Sequence, residues 1–265
     1  MAELGTDPRF GEQGGRLSYG SYLQLERLLS AQRPLADPPA HDELLFITIH
    51  QVYELWFGLL LHELSDARDR MLEGESYAPR LRLQRCRVIE AVLVEQVDVL
   101  DTMKPQDFLT FRANLAPASG FQSVQFREVE FLSGAKDPDF LERLRGVSGD
   151  ERSRLTRRLQ EPTLWDAYLR LLARHGFGVD DGDTRRESLR AISADRDAHG
   201  PLWELAEALL EHDQAMATWR ARHVLMVERQ IGTKSGTGGS SGAPYLRSRL
   251  DLRFYPELWE LRAAL

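Results

Sequence analysis

The sequence has very little cysteine and no long apolar run, and both shortages exclude whole classes of protein. Its single cysteine, Cys86, excludes an intrachain disulfide framework and every CxxC metal or redox motif. The longest apolar candidate, Leu55 to Leu61, is far shorter than the ~18 residues that a membrane span requires. Residues 1–16 lack the apolar core of a signal peptide. We therefore expect a cytoplasmic protein that does not enter a membrane.

The chain also lacks the excess of positive charge that general nucleic-acid binding requires. Its formal net charge is −7, and the local basic run at residues 152–158 is balanced by nearby acids. The apolar fraction of 42% and the charged fraction of 28% are ordinary for a globular protein that buries a core. We expect no nucleic-acid partner.

No stretch of the sequence alternates with the period of two that predicts a β-strand next to a turn signal. Helical spacing recurs instead, and it is clearest over residues 41–72 and 201–232. Apolar residues cover much of the circumference of the first of these segments, which indicates a helix in the middle of a bundle. We predict an all-α helical bundle that forms a single domain over residues 17–265, preceded by a disordered N-terminus at residues 1–16.

Shorter helices are predicted around these two segments. An amphipathic helix begins at Ser18, Asp42 and Ser123 are candidate N-caps, and Gly232 is a candidate C-cap. Residues 176–186 read as an exposed acidic turn. Further helices are predicted over residues 80–103, 105–115, 137–147, 150–160 and 163–175.

Two of the seven histidines, His50 and His223, lie on apolar faces of the long helices and are candidate ligands. For a lone imidazole on such a face, a hydrogen-bonded core residue is the more frequent alternative. A non-haem metal site fits poorly, because HExxH is absent and no histidine has the glutamate three residues earlier that di-iron bundles require. A haem pocket needs one proximal imidazole in an apolar cavity, and His223 with its Trp and Met neighbours can supply both.

A glycine-rich loop, GTGGSSG at residues 236–242, follows the second long helix. It does not match a phosphate or dinucleotide loop, because it follows a helix and its glycine spacing differs from GxGxxG. Composition alone favours a flexible linker. The alternative is a lid whose backbone N–H groups and Thr237 hydroxyl close over a polar substrate.

Arg112 lies on a short, mostly apolar helical segment just before the sequence PASG. A guanidinium in such surroundings needs an anionic partner, because burying it unpaired would be costly. That partner is either an Asp or Glu of the bundle or the carboxylate of a substrate.

Three stretches, taken in order and at their separations, closely resemble the tryptophan 2,3-dioxygenase family. They are FITIHQVYELWFGLLLHEL, TFRANLAPASGFQSVQFREVEFL and WRARHVLMVERQIGTKSGTGGSSG, and LSYGSYLQLERLLSAQ near the N-terminus also matches. The resemblance runs from about residue 17 to residue 256 and is weakest between residues 138 and 201. It implies an all-helical enzyme, usually a homotetramer, that binds haem b without covalent attachment. With O2 as co-substrate, such an enzyme opens the indole ring of L-tryptophan to give N-formylkynurenine.

The resemblance also implies roles for individual residues. His223 would be the axial ligand of the haem iron, and His50 would be the catalytic distal residue that accepts a hydrogen bond from the indole N–H. Arg112 would bind the substrate carboxylate, and Thr237 would bind its amino-acid end. The other implied contacts are Phe46 and Leu115 at the indole, Ser119 and Gly120 near the haem edge, and Tyr19 and Tyr22, on an N-terminal helix, in the site of a neighbouring subunit.

Two residues depart from the family pattern. Phe108 stands where the family typically has a tyrosine that helps to hold the carboxylate, and Phe126 replaces a second tyrosine. Losing one such hydroxyl weakens substrate binding by ~1 kcal/mol.

Relatives in the wider group of haem-dependent aromatic oxygenases insert a single oxygen atom, so monooxygenation of tryptophan or a substituted tryptophan is the alternative reaction. A non-catalytic haem- or indole-binding protein is the alternative from another class.

Overall fold

The computed structural model describes residues 17–265, and the predicted disorder of residues 1–16 lies outside the described part. Within residues 17–265 the chain forms helices and the turns that join them, with no strand, which confirms the all-α class. The helices are α1 Tyr19–Tyr22, α2 Leu25–Leu29, α3 His41–Glu73, α4 Tyr77–Leu100, α5 Pro105–Arg112, α6 Val124–Ser133, α7 Pro138–Arg143, α8 Gly149–Gln160, α9 Leu164–Arg174, α10 Gly182–Ala194, α11 Arg196–Ile231, α12 Ala243–Arg247 and α13 Pro256–Leu261.

The long helix α3 is central to the bundle, as its apolar circumference predicts. It packs against α4, α6 and α9, and α4 in turn packs along α11. Leu60, Leu64 and Met71 on α3 have no accessible surface. By length and composition α3 is also long and apolar enough to cross a membrane. A single such helix is weak evidence for a membrane span, because the core helix of a soluble protein meets the same criteria.

Buried polar side chains fix α11 against its neighbours. His212 Nδ1 lies 2.5 Å from Glu90 Oε1 on α4, and His212 Nε2 lies 2.8 Å from the Ser133 hydroxyl on α6. The carboxylate of Asp213 accepts hydrogen bonds from two backbone N–H groups and one indole N–H of residues 254–259. Because all of these residues except Trp259 are buried, slipping α11 along its axis would leave several polar groups unpaired.

The structure corrects the predicted N-terminal elements. The helix predicted from Ser18 is broken into α1 and α2 at Gln24, whose φ of 53° is left-handed. No residue of α1 or α2 is buried, so tertiary packing does not favour a continuous helix there. Asp42 is not an N-cap, because α3 already starts at His41 and Asp42 lies in its first turn. The predicted caps Ser123 and Gly232 are confirmed.

The prediction of an acidic turn over residues 176–186 is wrong in its second half. The structure starts α10 at Gly182, and the Asp181 carboxylate caps the helix by accepting a hydrogen bond from the Thr184 N–H at 2.9 Å. The acidic residues taken as turn signals therefore open a helix. Likewise, α11 starts before Pro201 because Asp195 caps it by accepting from the backbone N–H of Ala198.

Candidate active site

The structure brings the two candidate histidines into one site. His50 on α3 and His223 on α11 lie close enough for His50 to contribute to a lowering of the pKa of His223. Aromatic side chains line both sides of this site. They are Phe46, Phe108 and Phe111 on the side of His50, and Trp219, Phe126 and Phe57 on the side of His223.

His50 presents an unprotonated nitrogen to the site. Its Nδ1 lies 2.7 Å from the Phe46 carbonyl oxygen, so Nδ1–H donates to that oxygen and Nε2 carries the free lone pair. Burial lowers the pKa of His50, although the Phe46 carbonyl and the nearby Glu54 carboxylate oppose that shift. The residue nevertheless keeps an exposed surface, although the surrounding protein desolvates its imidazole. His50 is therefore a neutral hydrogen-bond acceptor.

His223 is a neutral imidazole without a hydrogen-bond partner among the side chains and backbone of residues 17–265. Burial and, to a smaller extent, the neighbouring His50 lower its pKa to about 4. Its ring stacks on Trp219 with centroids 5.0 Å apart and planes 10° apart. For His223, the alternative of a core histidine that is hydrogen-bonded to residues 17–265 is therefore wrong. A neutral, unpaired imidazole has the lone pair that a metal ligand requires.

These residues fit a haem better than an ion held by protein ligands alone. Within residues 17–265, no group of three or more His, Cys, Asp or Glu side chains could hold a metal ion. A haem brings most of the ligands of its iron and needs one from the protein, which His223 would supply. A Cβ added at Gly120 would meet nothing within 4 Å, so open space adjoins the loop predicted at the haem edge.

Arg112 forms no ion pair with any Asp or Glu of residues 17–265. It ends α5, and its Nη2 donates a hydrogen bond to the Ser235 carbonyl oxygen at 2.5 Å. The two aromatic residues that precede it on the same helix, Phe108 and Phe111, are buried against Phe46. The guanidinium therefore lies beside the aromatic site and keeps donors that no carboxylate of the described chain uses.

The glycine-rich loop is folded against residues 116–120. The Thr237 hydroxyl donates to the Ala118 carbonyl oxygen at 2.6 Å. Gly238 lies so close to Ser119 that an added Cβ would be 2.6 Å from the Ser119 Cβ, a separation that real side chains do not adopt. The interpretation of this loop as a free linker is therefore wrong: glycine is needed where the two loops touch.

The other predicted site residues are in different surroundings: some pack beside His50 or the core, and others are exposed at the surface. The Phe46 ring lies 4.1 Å from the His50 ring, and Leu115 is partly buried against the core. Ser119 accepts a hydrogen bond from the Phe121 N–H and so caps the turn that starts at Gly120. Tyr19 and Tyr22 are 77% and 71% exposed, so the structure does not bring them into the site of their own chain.

Glu54 is an organising residue whose contacts the sequence did not reveal. Its carboxylate accepts hydrogen bonds from the Ser123 hydroxyl at 2.6 Å and from the Gln125 amide at 2.8 Å. Because Glu54 lies one turn after His50, these bonds tie the wall of the site to the start of α6. The only sequence signal was its place on the same helical stripe as His50.

Comparison with known sequences gives one consistent family. The profile of the tryptophan 2,3-dioxygenase family matches residues 5–185 and 184–265. A tryptophan 2,3-dioxygenase of Nocardioides sp. is 62% identical over 261 residues, which cover 97% of each chain. The enzyme of the same name from Herpetosiphon aurantiacus is 43% identical over 94% of this chain and 98% of its own. The tryptophan 2,3-dioxygenase of Myxococcus xanthus is 44% identical over 95% of this chain and 90% of its own. The chain therefore belongs to the tryptophan 2,3-dioxygenase family.

Proposed function

We propose that this protein is a haem-dependent dioxygenase that opens the indole ring of L-tryptophan with O2 to give N-formylkynurenine. Relatives that carry the name tryptophan 2,3-dioxygenase match the chain over nearly its whole length. The observation that carries the residue assignments is the pairing of two neutral histidines in one aromatic site. One of them, His223, has no partner in residues 17–265, and the other, His50, offers a free Nε2.

His223 would hold the haem iron as its one protein ligand. When bound, haem supplies the activation of dioxygen that no side chain provides. Cys86, the only cysteine, is fully buried in the core, so we propose that haem b is bound without covalent attachment. The aromatic rings around His223 would exclude water from the iron's surroundings and strengthen the polar contacts made there.

His50 and Arg112 would hold the two ends of the substrate. His50 Nε2 would accept a hydrogen bond from the indole N–H, and the Arg112 guanidinium would pair with the carboxylate. Two anchors at opposite ends of one small molecule fix the position of the C2–C3 bond that reacts. Phe46 and Leu115 would contact the faces of the indole, and the Thr237 hydroxyl would bind the amino-acid end.

The contacts between the two loops support a closed site. Arg112 reaches the Ser235 carbonyl, and Thr237 reaches Ala118, so the glycine-rich loop is tied at two points beside the proposed carboxylate position. If the substrate carboxylate and the Ser235 carbonyl both bind the Arg112 guanidinium, substrate binding would be coupled to closure of the loop. Closure would exclude water from the bound substrate.

The spectrum of haem-loaded, reduced protein tests this function. We expect a histidine-ligated Soret band that shifts when L-tryptophan is added, because indole and haem share one pocket. A Soret band indifferent to tryptophan would leave a haem protein with another aromatic substrate. No Soret band would contradict a haem-dependent function altogether.

His50→Ala is expected to lower kcat/KM for L-tryptophan by about tenfold to a hundredfold, the value of one buried hydrogen bond to the indole N–H. The same change should have little effect on 1-methyltryptophan, which has no indole N–H to donate. His62→Ala is the matched control, because His62 is an exposed histidine on the same helix. Equal losses with both substrates would contradict the acceptor role of His50.

We further propose that the protein is a cytoplasmic homotetramer, a dimer of dimers, in which Tyr19 and Tyr22 enter a neighbour's site. The N-terminal arm is tied to α3, because the backbone N–H groups of residues 35 and 36 donate to the Glu43 carboxylate at 2.8 and 2.9 Å. Its tip instead exposes apolar side chains that a second chain could bury: Leu17, Tyr19, Tyr22 and Leu29.

Light scattering on size-exclusion chromatography is expected to give the mass of four chains. The double variant Tyr19→Ala/Tyr22→Ala should keep that mass and raise KM for tryptophan, because the two rings would contact the substrate of another chain. A monomer with normal turnover would contradict the shared site.

A further inference from the structure

The rings of Trp219 and His223 are stacked nearly parallel. The two residues lie one turn apart on α11, so their side chains share a face of the helix. That spacing alone does not set the ring planes, because the imidazole can rotate about its Cβ–Cγ bond. The centroid separation of 5.0 Å and the interplanar angle of 10° show that the imidazole lies flat on the indole. The plane of the imidazole therefore matches the plane of the Trp219 indole.

Trp219 is itself held by aromatic rings from two other helices. Phe126 on α6 lies 4.9 Å away at 44°, and Tyr53 and Phe57 on α3 lie 6.1 and 6.3 Å away at 72° and 87°. Edge-to-face and tilted contacts of this kind stabilise one ring orientation. With 8% of its surface exposed, the indole has little room to move.

The polar contacts that normally orient such a histidine are missing from the described protein. A metal-binding histidine usually donates its second ring N–H to a carboxylate, carbonyl or water. In residues 17–265, no side chain or backbone group accepts a hydrogen bond from His223. The flat face of the indole is thus the contact that remains to orient the imidazole.

We propose that Trp219 is the positioning residue for His223: its indole face fixes the imidazole plane and so the direction of the lone pair on the ligating nitrogen. Because it concerns the ring that would hold the haem iron, this role rests on the proposed function. Trp219 would act through His223, and its role is therefore positioning and not catalysis.

The test compares Trp219→Leu, which fills the space without a flat face, with Trp219→Phe, which restores one. The control is Trp165→Leu on α9, which removes an indole that packs on Tyr168 and Tyr255, away from the site. The readout is the iron–histidine stretching band in the resonance Raman spectrum of the reduced, haem-loaded protein. The rate of haem transfer to an excess of apomyoglobin is the second readout.

We expect Trp219→Leu to broaden and shift the iron–histidine band and to speed haem loss by about fivefold, the scale of one lost aromatic stack. Trp219→Phe should restore most of both values, and Trp165→Leu should leave both unchanged. If Trp219→Leu does not fold, Trp219→Met takes its place, because it is apolar and also has no flat face.

A Trp219→Leu band with the width and position of the wild-type band would overturn the positioning role and leave the proposed function intact. Equal changes in Trp219→Leu and Trp165→Leu would also overturn it, because they would reflect general destabilisation. A wild-type protein that shows no iron–histidine band at all would overturn both the positioning role and the proposed function.

Discussion

His223→Ala is expected to abolish stable haem binding and turnover, because this neutral, unpaired imidazole is the group proposed to hold the iron. Haem affinity should fall by roughly a thousandfold or more, about 4 kcal/mol. Gel filtration of the reconstituted variant, followed by its absorption spectrum, measures the loss. We expect no Soret band in the protein fraction.

A second histidine of the same helix supplies the control. His199 packs against Phe177 with ring centroids 5.0 Å apart, so His199→Ala disturbs α11 without touching the site. It should bind haem normally. His223→Gly should regain a Soret band when free imidazole is added, because the small ligand can occupy the vacated space. A native spectrum for His223→Ala would show that another group holds the haem.

Arg112→Ala is expected to raise KM for L-tryptophan by about a hundredfold, the value of a charge-assisted pair with a carboxylate. The effect should be large because Phe108, where the family typically has a tyrosine, offers no hydroxyl to share the carboxylate. With tryptamine, which lacks the carboxylate, the same variant should change KM little. Steady-state kinetics with both substrates measure the difference.

Two further variants separate the carboxylate role from the contact that Arg112 makes with the loop. Arg112→Lys keeps the positive charge but loses the planar fork, so it should recover only part of the affinity. Arg229→Ala removes an exposed arginine near the end of α11 and should leave KM unchanged. Equal increases for tryptophan and tryptamine in Arg112→Ala would mean that Arg112 acts by holding the Ser235 carbonyl.

The two phenylalanines that depart from the family pattern lie within aromatic contacts. Phe108 stacks on Phe46 with centroids 5.6 Å apart, and Phe126 lies 4.9 Å from Trp219. His50 does not depend on either ring for its orientation, because its Nδ1 is held by a backbone carbonyl. The departures therefore concern the anchoring of the substrate and the support of Trp219, and they leave the proposed indole acceptor in place.

Much of the fold follows from local patterns in the sequence. α3 was predictable because its apolar residues recur at helical spacing over many turns. The start of α6 and the end of α11 were predictable because the Ser123 side chain caps the first and Gly232 terminates the second. The break at Gln24 was not predictable, because it depends on whether an apolar face finds a partner. α10 was missed because its short acidic start resembles a turn.

The site was predictable only in part for a related reason. Helical spacing placed His50 and His223 on apolar faces, but nothing in the spacing shows that the two faces meet. The contact between Thr237 and Ala118 joins distant segments, as does that between Glu54 and Ser123. Such pairs depend on how α3, α5 and α11 pack, which no local pattern in one sequence reveals.

The most direct test of the central claim is the mass of the product formed from L-tryptophan under isotopically labelled dioxygen. Ring opening with both oxygen atoms predicts N-formylkynurenine that carries two labelled atoms from one molecule of O2. A product with a single labelled oxygen, such as an oxindole or a hydroxylated tryptophan, would contradict dioxygenation and establish the monooxygenase reaction instead.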